Sequence, residues 1–202
     1  MPIIDAVLGD FFWPDGHIRV TGREYNGLLE SPCYQRGEMS CVSCHSMHKS
    51  NPNDQLARGM RGNQACLQCH DEMAGDLTRH TRHAADSPGS NCTNCHMPHT
   101  SYGLLKAIRG HTIETPDVAT TLATGRPNAC NLCHLDKTLD WTAELLANRT
   151  GQAKSTVPGE HRTTAASVLW LLKGDAGQRA LAAWHMGWQP ARETSGTDWL
   201  AP

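Results

Sequence analysis

Four pentapeptides of the form Cys-x-x-Cys-His constrain this chain more than anything else in it. They are Cys41-Val-Ser-Cys44-His45, Cys66-Leu-Gln-Cys69-His70, Cys92-Thr-Asn-Cys95-His96 and Cys130-Asn-Leu-Cys133-His134. The pattern is the attachment site of c-type haem: two thiols form thioethers with the porphyrin vinyl groups, and the next imidazole becomes the proximal iron ligand. One copy alone would leave a zinc half-site open. Four copies use eight of the nine cysteines and four of the twelve histidines. The expectation is four covalently bound haem c, held by Cys41, Cys44, Cys66, Cys69, Cys92, Cys95, Cys130 and Cys133, with His45, His70, His96 and His134 on the irons.

Composition agrees with that expectation. Only 39% of the 202 residues are hydrophobic, with two Phe and three Tyr, which is thin for a core. Porphyrin faces would supply the missing apolar surface, so the haem-free polypeptide is expected to fold poorly. The formal charge of −2 comes with no basic run, which argues against a nucleic-acid partner. Arg58, Arg61, Arg79, Arg82 and Arg109, scattered between the motifs, either pair with propionates or face water. No apolar run approaches the ~18 residues of a membrane span. The start, Met1-Pro2-Ile3-Ile4-Asp5, lacks a signal peptide, so the signal has been removed or the chain is part of a longer one. Haem c is attached outside the bacterial cytoplasm, which points to a periplasmic or extracellular protein. Cys33, the ninth cysteine, reads as a small buried hydrophobe or as an intermolecular thiol.

Along the chain, residues 1–32 read as an extended arm or hairpin, with Pro14-Asp15-Gly16 as a turn between Phe11-Phe12-Trp13 and Ile18-Arg19-Val20. Residues 33–136 hold every motif, at intervals of 25, 26 and 38 residues. Gly and Pro (Pro52, Gly59, Gly62, Pro88, Gly89, Pro116, Gly125, Pro127) break the intervals, so short helices and coil are expected and long strands are not. Residues 137–202 carry five of the six Trp (Trp141, Trp170, Trp184, Trp188, Trp199). They read as helices over 139–148, ending near Gly151, over 163–173, closed by Gly174, and from an Asp175/Gln178 cap to about Trp188. Two such helices form either a unit of a helical, HEAT-like solenoid or a cap on the haem region. The fold class is mainly α with much coil: a multihaem cytochrome organised around four stacked haems, with a C-terminal helical segment.

Eight histidines lie outside the motifs: His17, His48, His80, His83, His99, His111, His161 and His185. His48 follows His45 by three. On a helical turn both rings would project to one side, about 5–6 Å apart at Cβ, so His48 would serve a neighbouring haem, its iron on the order of 10 Å from the first. By the same reasoning His80 and His83 suit two different irons, and His99 stands in that relation to His96. Met97 adjoins His96 and precedes Pro98, which disfavours it as a thioether ligand.

Trp13-Pro-Asp-Gly, Gly22-Arg-Glu-Tyr25, Cys44-His-Ser-Met-His48, His80-x-x-His83, Cys95-His-Met-Pro98, Gly110-His111 and Pro127-Asn-Ala-Cys130 together resemble the doubled-CxxCH multihaem cytochromes. The combination is most similar to the tetrahaem module found beside HEAT or tetratricopeptide repeats in large bacterial cytochromes, over about residues 10–190. There is a more distant likeness to pentahaem nitrite reductase and to the tetrahaem partner of hydroxylamine oxidoreductase. The resemblance implies His48, His80, His83 and His111 as distal ligands and offers no counterpart for His17 or His99. It pairs His111 with His45, His83 with His134, His80 with His70 and His48 with His96.

Two imidazoles on each iron leave no place for a substrate and hold the potential below that of Met/His ligation. The expected role is therefore an electron carrier between redox partner proteins, not an enzyme. The alternatives are a subunit of a homo-oligomeric filament or larger redox complex, in which His17 or His99 could reach a neighbouring subunit, and a reductase with one open haem. The nitrite reductase pattern carries a CxxCK motif that this chain lacks.

Overall fold

The computed structural model describes residues 8–20, 22–46, 48, 51, 54–103 and 106–195. Met1–Asp5, Pro52 and Trp199, all used above, lie outside them.

The N-terminal stretch forms a tight hairpin. Phe12 and Ile18 make an antiparallel bridge. The Trp13 amide donates to the His17 carbonyl and the Gly16 amide to the Trp13 carbonyl, both at 2.8 Å. Gly16 adopts φ +83°, which glycine reaches without a Cβ penalty. The hairpin is docked rather than free: Val20 pairs in parallel with Ser101, the Thr100 hydroxyl donates to the Arg19 carbonyl at 2.7 Å, and Arg19 pairs with Asp175 at 2.7 Å. Trp13 and Ile18 are buried.

Regular structure from residue 24 through the motif region is sparse. Helices α1 (Glu24–Glu30), α2 (Pro32–Gln35), α3 (Gln64–Leu67), α4 (Leu77–Thr81) and α5 (Cys92–His96) run four to seven residues, too short to persist without tertiary support. One hairpin follows, β1 (His99–Tyr102) against β2 (Lys106–Arg109), antiparallel with His99 opposite Arg109 and Thr100 opposite Ile108. Helices α6 (Val118–Thr124) and α7 (Ala129–Cys133) complete this part. Motif helices α5 and α7 are each opened by an asparagine, Asn91 and Asn128, whose side chain accepts a backbone N–H of the first turn.

The longer helices come last. Thr138 caps α8 (Leu139–Thr150), which ends on Gly151 in the left-handed conformation at φ +70°. After α9 (Ala166–Lys173), Asp175 and Gln178 form a reciprocal capping box at the start of α10 (Ala176–Gly187). A short α11 (Gln189–Ser195) follows. The core unites Val118, Leu132, Leu139, Ala143, Val157, Ala166, Trp170, Leu181 and Ala182. Burying side chains such as Trp170 and Leu181 is worth about 1.5–3 kcal/mol each. Helices α9 and α10 pack on each other and on α7, while α10 also covers both strands. The helical segment thus lies directly against the fourth Cys-x-x-Cys-His motif. No helix among the described residues is long and apolar enough to cross a membrane.

Candidate functional site

Three pairs of imidazoles face each other, and each pair joins one motif histidine to one histidine outside the motifs. His45 faces His111, His80 faces His96, and His83 faces His134. Ring centroids are 6.0 Å apart in all three, with planes inclined by 27°, 18° and 29° respectively. Two metal–nitrogen bonds of about 2 Å plus the half-width of a ring on each side add up to about 6 Å. The spacing therefore suits one metal between two imidazoles and is too wide for ring contact.

Backbone carbonyls set the orientation of these rings. Nδ1 of His96 lies 2.7 Å from the Glu114 carbonyl, Nδ1 of His83 2.7 Å from that of Thr81, Nδ1 of His111 3.1 Å from that of Arg109, and Nδ1 of His45 3.3 Å from that of Gln55. A carbonyl only accepts, so each Nδ1 carries the proton and Nε2 keeps its lone pair. This is the second-shell arrangement that fixes tautomer and ring pose in metal-bound histidine. Burial holds His111 and His134 below the usual imidazole range, and the exposed His80 is shifted the same way by partial desolvation and by neighbouring His96 and Arg149, favouring the neutral, ligating form. Among the described residues no group of three or more His, Cys, Asp or Glu is placed to hold a bare ion. Opposed pairs suit a metal already held on its other sides by a macrocycle.

The thiols run in sequence order. Burial pushes Cys44, Cys95 and Cys133 up and takes Cys66 and Cys130 to about 12; Cys69 adds to the rise at Cys44, Cys92 to that at Cys66 and Cys95 to that at Cys130. Thiols of successive motifs are thus near neighbours. Side chains tie the motifs together as well. Gln68 donates to the Ser43 carbonyl at 3.1 Å. Asn63 donates to the Ser90 carbonyl and accepts the Cys92 amide, both at 2.8 Å. Cys33 stands close enough to Cys44 and Cys66 to raise both.

The three His-x-x-His spacings do not lie on continuous helices. His45 sits in an antiparallel bridge with Leu56, so the one-turn argument for His48 has no helix to act on. His80 lies in α4, but Arg82 then turns left-handed at φ +60° and carries His83 away from the helix. His96 ends α5, and His99 begins β1. The rings of His80 and His83 do part company, one toward His96 and the other toward His134. His80 therefore faces His96 and not His70, with which the family resemblance pairs it. His70 is exposed, its Nδ1 3.5 Å from the Glu72 carboxylate, and His48 is exposed too.

His99 and His185 belong to a packed cluster with Trp184 and Trp188. Nδ1 of His99 lies 3.1 Å from Nε2 of His185, whose own Nδ1 meets the Leu181 carbonyl at 2.7 Å. Burial takes His99 down to about 2 and His185 to about 4. His17 approaches the Glu114 carboxylate at 3.2 Å. Arg126 grips the same carboxylate at both oxygens, 2.6 and 2.8 Å, and reaches Asp15 at 3.0 Å. Burial pushes Glu114 up, but His17 and Arg126 outweigh it and hold the carboxyl below its ordinary range. Because the Glu114 carbonyl also receives His96, this network braces one of the facing rings. Trp141 packs 5.0 Å from His134. The Glu114 carbonyl is a backbone atom and has no residue-type signal. Trp141 was visible as a helix residue but not as a neighbour of the motif.

The site defines a haem-attachment region of the c-type cytochrome kind. The family model for the doubled CXXCH motif matches residues 34–75, which contain the first two pentapeptides. Neither the curated proteins nor the solved structures give a match.

Proposed function

We propose that this chain is a tetrahaem c-type cytochrome that passes electrons between redox partner proteins outside the cytoplasm. The observation that carries this reading is the set of three imidazole pairs at 6.0 Å, each containing one motif histidine. Bound haem supplies a one-electron iron couple; the chain supplies its attachment, its axial ligands and its surroundings. Cys41 and Cys44, Cys66 and Cys69, Cys92 and Cys95, and Cys130 and Cys133 hold the four groups. His45 with His111, His96 with His80, and His134 with His83 would be the imidazole pairs that hold the irons. His48 is left as the partner for His70. The nearness of thiols from successive motifs supports an ordered row from the first motif to the fourth, held in the region 33–136 between the arm at 1–32 and the helices at 137–202.

Imidazole on both sides keeps small substrates from the iron, which is why the reading is a carrier rather than a reductase. Intact mass under denaturing conditions tests the cofactor count: it should exceed the 22.1 kDa polypeptide by four haems, and fewer would overturn the tetrahaem reading. Carbon monoxide tests the coordination. It should bind the reduced protein slowly or not at all, and rapid binding accompanied by nitrite or hydroxylamine turnover would make the protein an enzyme.

A further inference from the structure

Gly89 lies against the ring of His83. A Cβ built on Gly89 would stand 2.2 Å from Cδ2, 2.4 Å from Cγ and 2.8 Å from Nε2 of that imidazole, well inside van der Waals contact. The backbone of Gly89 is not left-handed, so space, and not conformation, demands glycine here.

Neither side can easily retreat. On the loop side, the nearly inaccessible Ser90 donates to the Ala84 carbonyl at 2.8 Å and meets the Thr81 hydroxyl at 3.0 Å. The Pro88 carbonyl accepts Asn94 at 2.7 Å and the Ser90 carbonyl accepts Asn63 at 2.8 Å. Residues 88–90 are thus anchored both to α5 and to the turn ahead of α3. On the other side, Nδ1 of His83 is held by the Thr81 carbonyl at 2.7 Å, and its amide donates to the Thr81 hydroxyl at 3.2 Å. The movable part is the ring, and moving it takes Nε2 away from His134.

We propose that Gly89 is a positioning residue that leaves the room in which His83 stands opposite His134. The inference rests on the reading of His83 as an axial ligand, and the test separates the two. Gly89→Ala in the full haem-loaded chain should turn one haem high-spin and let the reduced protein bind about one equivalent of carbon monoxide, with added imidazole restoring the low-spin spectrum. Gly75→Ala, at a glycine with nothing within 4 Å of the new Cβ, should leave every haem low-spin. His83→Ala should reproduce the high-spin change by itself. If His83→Ala gives a high-spin haem and Gly89→Ala gives none, the role of Gly89 is refuted while the ligand reading stands. If His83→Ala leaves all haems low-spin, the ligand reading falls and takes the inference with it. Should Gly89→Ala fail to fold, the double variant His83→Ala/Gly89→Ala decides. Recovery of folding once the ring is gone supports the steric conflict, and continued failure overturns it.

Discussion

His80 and His96 face each other across 6.0 Å with their planes inclined by only 18°, although one lies in the last turn of α4 and the other closes a Cys-x-x-Cys-His motif. His80→Ala should therefore produce one high-spin haem, and that haem should be the one attached at Cys92 and Cys95. Combining it with Cys66→Ala and Cys69→Ala, which remove the second attachment site, locates the change. The high-spin signal should persist in the combined variant. Its disappearance would return His80 to His70.

Acid should weaken the C-terminal packing before it reaches the carboxylates. His99 and His185 are pushed below the ordinary imidazole value of 6.5, to about 2 and about 4, chiefly by burial. The unfolded chain takes up protons on these rings that the folded chain refuses. Their contribution to stability is complete above about pH 6.5 and is lost as pH falls toward the folded values. The loss is at most about 1.4 kcal/mol per pH unit per ring, and the rings share one hydrogen bond, so the pair should give less than twice that. Urea denaturation at pH 7 and pH 5 should show a clear drop, flattened in His99→Gln. Equal midpoints would rule out this account.

Trp170 is 4% exposed within the core shared by α6 to α10. Trp170→Ala should cost about 3–5 kcal/mol, the range for deleting a large aromatic from a packed interior. Denaturation followed by far-ultraviolet circular dichroism measures it. A loss under about 1 kcal/mol would mean that the C-terminal helices are held by something other than this core.

Arg82 is the one described residue other than glycine with positive φ. A left-handed residue with a side chain costs about 1–2 kcal/mol, and β-branching makes it worse. Arg82→Gly should leave stability within about 1 kcal/mol, the relief of strain being offset by the greater freedom of the unfolded chain. Arg82→Val should destabilise by about 1–2 kcal/mol more than Arg82→Gly. Similar midpoints for the two would place the left-handed turn elsewhere.

What could be read from sequence was what is chemically local. Gly151 ends α8 and Asp175 with Gln178 opens α10, because those caps depend on residues within one turn of each other. The turn at Pro14-Asp15-Gly16 was legible for the same reason. The direction of the histidines was not. Spacing by three fixes relative orientation only where the helix continues, and here it is interrupted by the bridge of His45 to Leu56, by Arg82 and by the start of β1. Two of these interruptions are strand pairings, His45 with Leu56 and β1 with β2, and the third is the left-handed helix end at Arg82, whose amide returns to the Thr78 carbonyl. The carbonyls of Glu114 and Thr81, which orient two of the rings, are present in any residue. Gly89 was noted as a break between motifs, and its closeness to His83 emerges only in three dimensions.

The N-terminal hairpin is clasped to two later parts of the chain, to Ser101 in β1 and, through Arg19, to Asp175 at the head of α10. A polypeptide emerging from its amino end cannot close that clasp until residue 175 has appeared. All eight motif cysteines lie between the two halves. On the tetrahaem reading, every thiol is thus reachable for haem attachment before the clasp closes. That reading gives assembly a natural order: cofactor first, closure last.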